Sequence, residues 1–132
     1  MKKIVLLMSF SLTLCHLFGQ TQLELNNKAN EDFLKADKEL NSVYKAILKE
    51  YKTDTAFIEN LKASQLLWIQ FRDAEMLVKY PNREIGYYGS VQPICWSTYK
   101  TELTQDRISK LKQWLDGEEE GDVCAGTVKT KD

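Results

Sequence analysis

Histidine is almost missing from this chain: the single one, His16, lies inside the N-terminal apolar run. If that run is removed on export, no imidazole is left to activate a serine or cysteine nucleophile or to bind a metal through nitrogen. Cysteine is scarce as well. Of the three, Cys15 shares the same run and only Cys95 and Cys124 follow it. Two separated thiols outside the cytoplasm suggest a disulfide rather than a metal site. No second apolar run of spanning length follows the first, so no transmembrane segment is expected in the mature chain. A basic excess is also lacking, which argues against nucleic acid as a partner.

Lys2 and Lys3 precede an apolar segment, Ile4 to Phe18, of about fifteen residues, too short to span a bilayer comfortably. Gly19 offers a small residue for signal peptidase. We therefore expect residues 1–19 to be a signal peptide and the mature chain to start at Gln20, secreted or periplasmic. A lipoprotein signal centred on Cys15 is disfavoured, because Leu14 stands where a small residue is wanted and the apolar run continues past the cysteine. Removing residues 1–19 from 132 leaves 113, enough for one domain and not two. Loss of Lys2 and Lys3 takes the basic residues from 18 to 16 against 19 acidic, a net charge of −3.

Three helical stretches are expected. In the first, from about Leu25 to Tyr51, apolar residues from Phe33 through Ala36, Leu40, Val43 and Ile47 recur at three- and four-residue steps, with no Gly or Pro. The second runs from about Thr55, capped by Thr53 or Asp54, to Lys79. Its apolar positions include Phe57, Leu61, Leu67, Trp68, Phe71, Ala74 and Val78. A linker from Pro81 to Gln92 is rich in turn-forming residues. Pro93 suits the first turn of a third helix, which Gly117 stops after Leu115 and which carries Trp96, Tyr99, Leu103, Ile108, Leu111 and Trp114. Helices of this length in so short a chain must fold back on one another. The fold class is an all-α antiparallel bundle of three main helices over residues 20–117, with residues 118–132 an acidic flexible tail unless Cys124 ties it down.

Two segments carry a family resemblance. Ala36-Asp37-Lys38-Glu39-Leu40-Asn41-Ser42-Val43-Tyr44 on the first helix is similar to the "ADxxLNxxY" stretch of the LprI-like family, small secreted bacterial domains named for a lysozyme inhibitor. Ser64 to Glu75 on the second, with Gln65, Trp68, Arg72, Asp73 and Ala74, resembles its "aQxxWxxfRDA" signature. Gly89-Ser90, Cys95, Thr104, Arg107 and Leu111 follow in the family's order, so the resemblance spans roughly Leu25 to Leu115. It implies a helical fold and a role as a lysozyme inhibitor. Two cysteines common in the family, near Lys28 and at the position of Met76, are missing here. That leaves Cys95 with Cys124, another chain, or no partner. Closure to Cys124 is marginal. The nine residues beyond Leu115 reach about 30 Å when extended, and the helix from Cys95 to Leu115 is about 30 Å long.

Gln65, Trp68 and Arg72 share one helix face. That face is either a recognition surface, with Trp68 and Arg72 as anchors, or part of a partly buried polar network with Asn41, Tyr44, Asp73 and Arg107. Tyr87, Tyr88 and Ser90, in a Gly-containing connection with Arg83 or Glu84 nearby, are the other candidate contact residues. By analogy with unrelated lysozyme inhibitors that insert a loop into the catalytic cleft, they would occlude a muramidase. The acidic run Asp116 to Asp122 would steer a cationic partner, or simply be a solvated tail. Catalysis without histidine needs a carboxylate pair, and Asp73 and Glu75, two apart on a helix, diverge. A binding protein with a protein partner, no cofactor and no metal is expected. The alternative is an envelope-associated helical interaction module that ignores lysozyme.

Overall fold

The computed structural model describes residues 2–131, with side chains from residue 21 onward. Three helices follow in order: α1 (Lys2–Glu50), α2 (Thr55–Lys79) and α3 (Gln92–Asp116). The last two match the expected spans within a residue. α1 begins well before Leu25, and the side chains of the expected signal peptide lie outside the described residues. Among the described residues no helix is long and apolar enough to cross a membrane.

Side-chain pairings fix the topology. Tyr51 at the end of α1 stacks on Phe57 at the start of α2, ring centroids 4.4 Å apart. Its hydroxyl donates to the carbonyl of Trp114 near the end of α3 at 2.9 Å. At the other end Lys100 of α3 sits 4.6 Å from the ring centroid of Phe33 on α1. The chain therefore runs up, down and up: each helix is antiparallel to the next, and α1 and α3 run parallel. These two form the close pair, and α2 leans on them at greater distance.

The sequence sets the ends. Asp54 caps α2, its carboxylate accepting from the Phe57 amide at 2.9 Å. Pro93 occupies the first turn of α3, where its missing N–H is no loss. Leu40, Val43, Ile47, Leu61, Ile108 and Leu111 make the buried cluster. Only one of these, Leu61, comes from α2. The inward face of that helix is Leu61, Gln65, Arg72 and Met76. Leu67, Phe71 and Val78, expected to be part of its apolar surface, point to solvent.

Residues beyond Gly117 are tied down, though not through Cys124. The Tyr51 hydroxyl accepts from the Lys129 amide at 3.0 Å. Glu118 donates to the Lys129 carbonyl at 2.8 Å, and the Lys131 amide donates to the Glu118 carbonyl at 2.9 Å, a single bridge rather than a strand. Gly117 permits this approach. It has φ of +79°, and a Cβ there would lie 2.9 Å from the Lys129 carbonyl oxygen. The acidic stretch between these ties, Glu119 to Asp122, stays exposed. Of the partners left open for Cys95, the structure does not bring it to Cys124; both thiols are free and exposed. Tyr51 holds the tail at the C-terminal end of α3, whereas Cys95 lies in its first turns, about 30 Å away.

Ile47 is fully buried, so Ile47→Ala should lower unfolding stability by about 2–5 kcal/mol in denaturant titration. Gly117→Ala should cost about 1–3 kcal/mol through its positive φ and the backbone clash, and release the tail, read as faster tryptic cleavage after Lys129 and Lys131. Unaltered cleavage would contradict the tether.

Candidate functional site: a clamped helix and a tyrosine loop

The residues that carry the family resemblance converge at the contact of α2 with its neighbours. Two guanidinium groups approach the Trp68 ring, Arg72 at 5.3 Å and Arg107 at 5.9 Å from its centroid. Arg72 also sits 6.0 Å from the Phe33 ring centroid on α1. It pairs with Asp73 at 2.9 Å and more loosely with Asp37 at 3.8 Å. Asn41 extends this network outward, donating to the Asp37 carboxylate at 3.2 Å. Arg107 donates from Nε to Gln65 Oε1 at 3.1 Å and from Nη2 to Ser64 Oγ at 3.0 Å. Burial pushes the Arg107 pKa below its ordinary value, and among the described residues no carboxylate lies within ion-pair range of it. Glutamine and serine oxygens satisfy it instead, with the indole face supplying part of the missing negative potential.

Of the five residues assigned to the network, Gln65 and Arg107 meet directly, and Asn41 reaches Asp73 through Asp37 and Arg72; the Trp68 ring joins the two groups. Asp73 pairs with its neighbour Arg72. Tyr44, the fifth, packs against the apolar cluster. Arg72 is buried and Trp68 half-buried, which directs both toward holding the frame.

The second region is the α2–α3 connection. Its base is a cluster of rings in which Tyr80 packs on Tyr88 and Trp96, each with centroids 5.7 Å away, and on Tyr99 at 6.5 Å. The Tyr88 hydroxyl donates to the Pro81 carbonyl at 2.6 Å, closing the loop on itself. Two turns follow, with Tyr87 donating to the Glu84 carbonyl at 3.1 Å and Gly89 to that of Gly86 at 3.0 Å. Gly86 and Gly89 have φ of +86° and +73°, a backbone region costly for other residues. Tyr87 packs edge-on against Tyr88 at 4.9 Å, with the Arg83 guanidinium 5.8 Å from its ring centroid. It remains 68 % exposed, and Ser90 is exposed too. The loop encloses a shallow cavity of about 320 Å³ between Tyr80, Arg83, Tyr87 and Trp96.

Ile85 was not anticipated. It stands fully exposed at the loop, and an isolated isoleucine between Glu84 and Gly86 in a polar connection was the available signal. The supporting role of Tyr80 and Trp96 was equally missed: Trp96 counted only toward the apolar surface of the third helix, and Tyr80 was not singled out. Among the described residues no group of three His, Cys, Asp or Glu is placed to hold a metal ion.

Burial raises the pKa of Tyr80 and of Tyr99, the latter helped by its 3.2 Å hydrogen bond to the Glu75 carboxylate. Both phenols are neutral in folded and unfolded chains below about pH 10, so this contribution is complete there and is lost as pH rises through the folded values. Stability measured against pH should fall above that point, and less steeply in Tyr99→Phe. In the clamp, Arg72→Ala should cost about 2 kcal/mol through lost stacking and stem packing. Arg72→Lys should recover less than half of it, because an ammonium lacks the planar fork. Full rescue by lysine in thermal unfolding would contradict the stacked geometry.

A family model described as "Lysozyme inhibitor LprI" matches residues 18–111. An uncharacterized protein of Rhizobium meliloti is 31 % identical over 111 residues, covering 75 % of this chain and 77 % of its own length. No solved structure matches significantly. With the matched span taking in all of α2, the clamp and the tyrosine loop, the chain belongs to the LprI family.

Proposed function

We propose that this protein is an exported, non-catalytic inhibitor of a lysozyme, which it blocks by seating the 82–90 loop in the catalytic cleft. The observation that carries this reading is the loop itself: exposed Tyr87 and Ile85 on a connection pinned by the Tyr88–Pro81 hydrogen bond and a ring cluster. Side chains held in advance lose little entropy on binding, and tyrosine offers a large contact area with few rotatable bonds. Arg83 and Ser90 flank the tip and supply polar contacts. The family description supports an inhibitor over an enzyme, and the leader at residues 1–19 would place the protein in the compartment where muramidases act.

Charge is the second element. Without residues 1–19 the chain carries a net −3, 16 basic residues against 19 acidic, with Glu119, Glu120 and Asp122 beyond the C-terminal end of α3 while the loop precedes its N-terminal end. Separated by the length of α3, the acidic stretch would speed encounter with a basic enzyme without touching its cleft, so added salt should slow association more than it speeds dissociation.

The test is lysis of a peptidoglycan suspension by lysozyme with Gln20–Asp132 titrated in. Dose-dependent protection is expected, weakened tenfold or more by Tyr87→Ala or Ile85→Ala and unchanged by Lys45→Ala on the exposed side of α1. Absence of protection at stoichiometric excess against several lysozyme classes would overturn the reading and leave a helical interaction module with another partner. Protection that survives both loop substitutions would keep the activity and move the site.

A further inference from the structure

α2 has two apolar faces, and only one is covered. Opposite its inward side, Ala63, Leu67, Phe71, Ala74 and Val78 follow at steps of four, four, three and four, forming one straight stripe. Leu67 is 64 %, Phe71 56 % and Val78 73 % exposed. Leu66 and Leu77 border the same edge, at 59 % and 49 %. No charged residue occurs from Ala63 to Phe71. Solvent-facing helix positions ordinarily carry charge, and a contiguous apolar strip of this extent marks an interaction surface.

We propose that this stripe is the interface of a homodimer, in which two copies of α2 pack antiparallel across a twofold axis near Gln70 and Phe71. The order of residues is self-complementary about that point. Leu67 of one copy meets Ala74 of the other, Val78 meets Ala63, and Leu66 meets Leu77 along the edge. Large side chains opposite small ones let two helices approach and interdigitate. Because no charge sits on the stripe, pairing desolvates none. The five large side chains expose on the order of 600 Å², and Ala63, Gln70 and Ala74 bring the area near the roughly 800 Å² per partner of a specific interface.

An anionic membrane surface is a poorer match, since lipid-binding helices border their apolar face with basic residues. Here Glu59, Asp73 and Glu75 balance Lys62 and Lys79. The dimer goes beyond the inhibitory reading and does not depend on it. Its geometry leaves the two 82–90 loops at opposite ends, their α2 termini about 28 Å apart along the helix direction, so each stays free for its own partner.

Sedimentation equilibrium of Gln20–Asp132, which contains every described contact, tests this under reducing conditions. The expected mass is twice that of the chain at micromolar concentration, falling to the single mass in Leu67→Glu/Phe71→Glu with an unchanged far-ultraviolet helical signal. Should that variant unfold, Gln70→Cys in a Cys95→Ser/Cys124→Ser background decides the matter: it should cross-link copies on oxidation, whereas Lys45→Cys in the same background should not. A single mass for the unsubstituted chain at millimolar concentration would overturn the proposal. So would a dimer insensitive to the glutamates, equal cross-linking at both cysteines, or flotation of the monomer with phosphatidylcholine vesicles.

Discussion

Two guanidinium groups held against one indole ring decide how the second helix sits. α1 and α3 supply most of the apolar cluster between them, while α2 contributes Leu61 and then presents Gln65, Trp68 and Arg72 where a simple bundle would place leucines. Cations drawn wholly or partly out of solvent, as Arg72 and Arg107 are, need an acceptor or an electron-rich face for their donors. Arg107 meets Gln65, Ser64 and Trp68; Arg72 meets Asp73, Asp37, Phe33 and the same indole. These requirements are directional, so they fix the rotation of α2 about its axis more sharply than aliphatic contact would.

That rotation has consequences at both ends and on the outer face. It brings Glu75 to Tyr99 and delivers Tyr80 onto Trp96, which builds the ring cluster under the 82–90 loop. It also turns Leu67, Phe71 and Val78 outward. A helix free to roll would bury that stripe and expose Arg72; the clamp prevents the exchange. The same helix can thus hold the frame on one side and remain open to association on the other, while its C-terminal end carries the loop.

Much of this was legible in the sequence, and what was not has identifiable causes. The spans of α2 and α3 followed from Asp54, Pro93 and Gly117, whose cap and turn chemistry is local. The α1 stripe from Ala36 to Ile47 was correct because helical periodicity there is unambiguous. α2 was harder, since it carries two apolar stripes and periodicity cannot tell which faces inward; the answer depends on where Arg107 and Asp37 lie in space. The tie that holds the tail was not legible, because the Tyr51 hydroxyl reaches the Lys129 amide across more than half of the chain and no local signal marks it. Gln65 with Arg107 was anticipated as a network, whereas the pairing of Asp73 with its own neighbour Arg72 was not. At the loop, Tyr87 and Tyr88 were named together, but the hydrogen bond to Pro81 gives them different tasks, one anchoring and one exposed.

The central claim is a division of labour: the family's signature residues on α2 build the frame, and the loop that follows makes contact with a partner. Amide hydrogen exchange of Gln20–Asp132 with and without a bound lysozyme tests it most directly. The account predicts slowed exchange confined to residues 82–90 and the first turn of α3, with Gln65 to Arg72 unchanged. New protection centred on Gln65 to Arg72, with the loop still exchanging freely, would contradict it.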